Sequence, residues 1–138
     1  MSQANVEVVR RWIEAFNRRD FEGLTELTEP DFELKSVFVP IEGDFRGYAA
    51  LQAYFEAVDE AYEHLLSVPE EFIDAGAAVV VVTQLDWRGK GSGAHGDTPV
   101  VVAFWLRAGK VFREETFTDR AKALEAVGLS EQDAHADS

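Results

Sequence analysis

The chain has 138 residues, 26 acidic against 13 basic side chains for a formal net charge of -13, and no cysteine. That length suits one domain with room for a real core, and 46% hydrophobic with 28% charged residues is a globular composition that excludes wholesale disorder. The charge excludes a nucleic-acid partner, which needs clustered Lys and Arg, and the missing Cys excludes disulfides, a thiolate nucleophile and Cys-based metal sites. Met1-Ser2-Gln3-Ala4-Asn5 has no basic stretch leading into an apolar one, and no apolar run approaches a membrane span. The expectation is a cytoplasmic protein with no membrane partner.

Val6, Val9, Trp12, Ile13 and Phe16 recur at helical spacing, with Arg10, Arg11, Glu14 and Arg18 opposite, which predicts an amphipathic first helix. Asp20 is placed to cap a short second helix carrying Phe21, Leu24 and Leu27, ended by Glu29-Pro30. Phe32–Val39 reads as a strand and Pro40–Gly47 as a loop. Tyr48–Tyr62 is a third helix with Leu51, Tyr54, Phe55 and Val58 in one stripe, and His64 falls at its end. Leu65–Asp74 reads as a strand in which Pro69 fits only near the start or on an edge.

Three long apolar runs follow, Ala77–Arg88, Thr98–Ala108 and Val111–Phe117, rich in Val, Phe, Trp and Thr and cut by glycines. This is the pattern of an antiparallel meander. Asp119 opens a last helix that holds Ala121, Leu124 and Val127, with Gly128 suited to its C′ position. Asp119 at that place reads as a cap. One domain over 1–129 is expected, with a flexible tail over 130–138. The order α-α-β-α-β-β-β-β-α is α+β.

Strand parity sorts the meander. Ala78, Val80, Val82, Gln84, Asp86 and Arg88 share one face of their run, and Val79, Val81, Thr83, Leu85 and Trp87 the other. On the last run Phe112, Glu114, Thr116 and Thr118 oppose Val111, Arg113, Glu115 and Phe117. A carboxylate within such a run is either wet or faces a cavity, where burial raises its pKa into the range useful for proton transfer. Three scattered histidines, His64, His95 and His135, give no metal-ligand spacing, so no metal is expected. Gly91-Ser92-Gly93-Ala94-His95-Gly96 matches G-x-G-x-x-G, but a strand follows it where a dinucleotide site needs a helix.

Four stretches together resemble the NTF2-like superfamily, particularly its SnoaL-like, polyketide cyclase-like branch. They are Phe16-Asn17-Arg18-Arg19-Asp20, Phe45-Arg46-Gly47-Tyr48-Ala49-Ala50-Leu51, Arg88-Gly89-Lys90-Gly91-Ser92-Gly93, and Gly109-Lys110-Val111 through Asp119-Arg120-Ala121-Lys122-Ala123-Leu124. The resemblance implies a cone: a curved mixed sheet around a hydrophobic pocket, wrapped by N-terminal helices, with a short C-terminal helix and homodimers formed through the outer sheet face. It also makes Asp86 similar to a pocket-facing acidic position of epoxide hydrolases in the superfamily. Those enzymes carry an Arg where this chain has Gln84, and relatives carry an Asp at the position falling on Thr116. Glu114, two residues away on the same face, is the substitute expected.

The reading is therefore a cofactor-independent acid–base enzyme of cyclase, isomerase or dehydratase type acting on a hydrophobic, oxygenated small molecule. Asp86 and Glu114 are its proton-transfer groups. Gln84, Thr116, Ser36 and Tyr54 orient the substrate, and Trp12, Phe16, Phe38, Phe104 and Trp105 form walls. The alternatives are a non-catalytic ligand-binding or dimerisation module of the same fold, and an epoxide hydrolase-like enzyme with an altered site.

Overall fold

The computed structural model describes residues 3–35 and 46–132. Its elements run α1 (Gln3–Asn17), α2 (Phe21–Glu26), β1 (Thr28–Lys35), α3 (Tyr48–Ala61), β2 (Tyr62–Asp74), β3 (Ala78–Gly89), β4 (His95–Arg107), β5 (Lys110–Phe117) and α4 (Arg120–Ala126). The five strands form one mixed sheet in the order β1-β5-β4-β3-β2, with β1 parallel to β5 and every other pair antiparallel.

Each edge strand of this sheet carries a proline. Pro30 lies in β1, where the pairing with β5 slips between Thr28 and Glu33, and Pro69 lies in β2 at a slip between Pro69 and Glu71. Proline donates no ladder hydrogen bond, so it belongs on edge strands and at irregularities. The Glu29-Pro30 pair therefore sits inside β1, which starts at Thr28, rather than acting as the stop of α2. Likewise β2 starts at Tyr62, directly from α3, so His64 is a strand residue and not a helix terminus.

The caps follow their side chains. The Gly23 amide donates to Asp20 Oδ1 at 2.9 Å, and the Ala121 amide donates to Asp119 Oδ1 at 2.8 Å, satisfying amides with no partner inside the helix. At the end of α4, Gly128 takes φ +83°, and the Leu129 amide closes back onto the Leu124 carbonyl at 2.8 Å. Arg120 then reaches Glu131 at 3.1 Å. The rest of the expected tail, 133–138, lies outside the described residues.

Alternation divides the sheet into two apolar faces. Val79, Val81, Val100, Val102, Phe104, Leu106 and Val111 pack with Val6, Val9, Trp12, Ile13 and Phe16 of α1 and with α2 and α3. Val80, Val101 and Ala103 pack on the other side with Ala123 and Leu124 of α4. One local break alters the parity of β5. Trp105 faces Arg113 but Leu106 faces Val111, so Phe112 is an extra residue. Val111 thus joins the helix-covered face with Glu114 and Thr116, although strict alternation places it opposite them.

Candidate functional site

A cavity of about 50 Å³ lies between the helices and this inner face. Trp12, Ile13 and Phe16 of α1 and Tyr54 of α3 roof it; Tyr62, Leu65 and Ser67 of β2 and Val81, Thr83 and Leu85 of β3 form one side. Val100, Val102 and Phe104 of β4, with Glu114 and Thr116 of β5, form the other. The aromatic walls pack on one another. Trp12 stacks on Phe16 with ring centroids 6.3 Å apart and meets Phe104 edge-on at 5.3 Å. Its indole N–H donates to Thr28 Oγ1 at 3.1 Å, and that hydroxyl donates to the Leu24 carbonyl at 2.6 Å. Trp12 therefore offers the cavity a hydrophobic surface, with its polar handle already engaged.

Glu114 is the carboxyl of this cavity and is only 5% exposed. Its strand neighbours are Phe104 on β4 and Leu34 on β1, neither of them charged. Arg113 is adjacent in sequence but, one residue along the pleat, lies on the outer face. There its guanidinium sits 4.6 Å from the Trp105 ring centroid and 2.8 Å from Glu115. Glu114 Oε2 is buried and has no hydrogen-bond partner among the described residues. Burial away from water disfavours the charged form, raising the pKa from 4.5 to about 8. At neutral pH the group is mainly a neutral carboxylic acid, able to donate a hydrogen bond into an apolar space.

Thr116 is buried and lines the same cavity. A second polar spot had a sequence signal in the alternation Val79, Val81, Thr83, Leu85, which marks Thr83 as a hydroxyl on the apolar face. Thr83 Oγ1 and Ser67 Oγ stand 3.2 Å apart. Asn17 fixes Ser67 by taking its amide at 2.9 Å and donating to its carbonyl at 2.8 Å. Ser67 and Tyr62 carry no such signal, because the slips in β2 break simple alternation, and Leu85 reads as an ordinary apolar residue of its run.

Several expected positions lie elsewhere. Gln84 and Asp86 are on the outer face, because α1 covers the Val79–Leu85 side of β3. Gln84 Nε2 is 3.5 Å from Glu70 Oε1, and Asp86 Oδ2 is 3.3 Å from His64 Nε2. Trp105 is also on the outer side, under Arg113. The expectation that these three line the cavity is corrected. Trp12, Phe16, Tyr54, Phe104, Glu114 and Thr116 do line it. Ser36 and Phe38 lie outside the described residues. Among the described residues no group of three or more His, Cys, Asp or Glu is placed to hold a metal, and no helix is long and apolar enough to cross a membrane.

Among solved structures the same cone recurs. An NTF2-like protein of unknown function from Burkholderia pseudomallei K96243 is 23% identical, with 94% of this chain and 100% of that one covered at a TM-score of 0.76. An NTF2-like protein from Burkholderia xenovorans LB400 is 28% identical over 93% and 98% of the two chains, with a TM-score of 0.74. TerC, co-crystallised with polyporic acid, is 24% identical over 90% and 98%, with a TM-score of 0.75. The fold is NTF2-like. Since the profile of the SnoaL-like domain matches residues 9–114, the chain belongs to the SnoaL-like family. No curated protein matches the sequence.

Proposed function

We propose that this protein binds a hydrophobic, oxygenated small molecule inside the cone and that Glu114 transfers protons on it without a cofactor. The observation that carries this reading is the buried Glu114 carboxyl, with an oxygen that has no partner among the described residues, in an otherwise greasy cavity. A pKa of about 8 leaves roughly one carboxylate in ten at pH 7, so both forms are available near working pH. The carboxylate form removes a proton from carbon next to a carbonyl. The acid so formed returns that proton at another carbon or at oxygen, giving isomerisation, cyclisation or dehydration. Thr116 and Tyr54 are the polar groups placed to orient the substrate, and Trp12, Phe16 and Phe104 are its walls. TerC, of the same fold, holding polyporic acid in its crystals is in keeping with this substrate class.

One dimension favours the rival reading, a non-catalytic module. At about 50 Å³ the cavity is well below the ~300–1,000 Å³ of ordinary small-molecule pockets, so a substrate must displace the half-buried rim at Tyr54, Tyr62 and Leu85. An epoxide hydrolase-like site built on Asp86 has no place in this geometry. The homodimer through the outer sheet face also stands as a proposal, supported by the apolar side chains Val82, Trp105 and Phe117 there.

Deuterium exchange separates the two readings. Small cyclic ketones incubated in D₂O with the protein should exchange the hydrogens beside their carbonyl, followed by proton NMR, and Glu114→Gln should abolish the enhancement. Ketones that perturb the protein's spectrum without exchanging would favour the binding module. Equal exchange by wild type and variant would remove Glu114 from the chemistry.

A further inference from the structure

The outer face holds a second cleft, of about 440 Å³, at the far end of β2, β3 and β4. Its floor is a row across three strands. Arg88 on β3 pairs with His64 on β2 and with His95 on β4. Cross-strand partners on one face have Cβ atoms ~4.5–5.5 Å apart, so Arg88 rises from the sheet between two histidines. Acidic residues outnumber basic ones two to one here, and other arginines use them: Arg46 meets Glu33, Arg107 meets Asp31, and Arg120 meets Glu71. The Arg88 side chain has no hydrogen bond or ion pair among the described residues, and neither of its cross-strand partners is an acid.

We infer that Arg88, His64 and His95 form a binding site for a phosphate group, separate from the cavity at Glu114. Arg88 supplies a fork of donors suited to an oxyanion. Each imidazole adds a donor from either side, and a dianion relieves the repulsion that arises when the flanking histidines are protonated beside Arg88. Trp87, which lines the same cleft, offers an apolar wall to an ester group.

The charged surroundings oppose and favour an anion in turn. His64 faces Arg88, Asp86 at 3.3 Å and the rim residue Glu63. His95 faces Arg88, with Asp97 two residues along β4 opposite Asp86. Asp86 (held by His64), Asp97 and Glu63 are the acids that oppose an incoming anion, and of the two that line the cleft, Asp86 and Glu63, Glu63 is the one with no ion pair among the described residues.

The test is an NMR titration of the histidine ring signals with inorganic phosphate, phenyl phosphate and acetate at constant ionic strength. It is run at one pH, about 7.5, where a phosphate monoester is mainly the dianion. Saturable shifts of His64 and His95 with phosphate are expected. Arg88→Gln, at an exposed position, should weaken them about tenfold or more, as loss of a charge-assisted hydrogen bond does, while Glu63→Gln tightens them and far-UV circular dichroism is unchanged. Tighter phenyl phosphate assigns a phosphate monoester as the occupant, and the reverse order assigns free phosphate. Absence of saturation, equal binding by Arg88→Gln, or acetate binding as well as phosphate would each overturn the assignment.

Discussion

Glu114 and Phe104 face each other across β5 and β4 on the helix-covered side of the sheet, so a carboxyl has an aromatic ring where an ion pair would need a cation. The nearest arginine in sequence, Arg113, is turned to the other face. This arrangement, rather than any acidic neighbour, keeps Glu114 protonated at neutral pH: burial alone causes the raised pKa.

That shift links stability to pH. The folded state holds the Glu114 proton up to about pH 8 and the unfolded chain releases it near 4.5. Between those values the unfolded state binds fewer protons, so stability falls as pH rises and levels off above about pH 8. The full loss is roughly 4–5 kcal/mol at ~1.4 kcal/mol per pH unit. Urea unfolding across this window should show the decline in wild type and a much flatter profile in Glu114→Gln. An unchanged slope in the variant would assign the decline to other groups.

Asp86 lies outside the cavity against His64. Asp86→Asn should leave both the stability profile near pH 8 and any ketone exchange at wild-type level, whereas Glu114→Gln alters both. A loss of exchange in Asp86→Asn equal to that in Glu114→Gln would contradict the placement of the chemistry on the inner face.

The wall at Trp12 depends on Thr28. Thr28→Val keeps the shape but leaves the buried indole N–H without its 3.1 Å partner, at a cost of about 1–3 kcal/mol. Denaturation should show that loss. Trp12→Phe in the Thr28→Val background should recover part of it, because no donor is then stranded.

Asp119 acts at a helix start, accepting from the Ala121 amide. Asp119→Ala should cost about 1 kcal/mol in thermal or urea unfolding, and Asp119→Asn only a few tenths. Neither should change proton exchange on a ketone.

Much of the architecture was legible because it rests on local rules. Helical spacing marked α1 and α3, Asp20 and Asp119 marked helix starts, and glycines cut the meander where Gly76, Gly91, Gly93 and Gly109 take positive φ. Parity correctly separated Gln84 and Asp86 from Thr83 and Leu85. It could not say which side the helices cover, since Val occupies both faces of β3. The resemblance tipped that choice toward Asp86, and packing of α1 on Val79 and Val81 went the other way. For β5 the polar pair Glu114 and Thr116 was placed inward, while the bulge at Phe112 hid the company of Val111. Slips of this kind depend on pairing between strands and leave no period in a single run.

The central claim is most directly tested by titrating the Glu114 carboxyl itself, with ¹³C-labelled glutamate followed by NMR and the signal assigned by its absence in Glu114→Gln. The account predicts a carboxyl that stays protonated through neutral pH and titrates near about 8. Titration near the ordinary glutamate value of ~4.3 would show a solvated or paired carboxylate and contradict it.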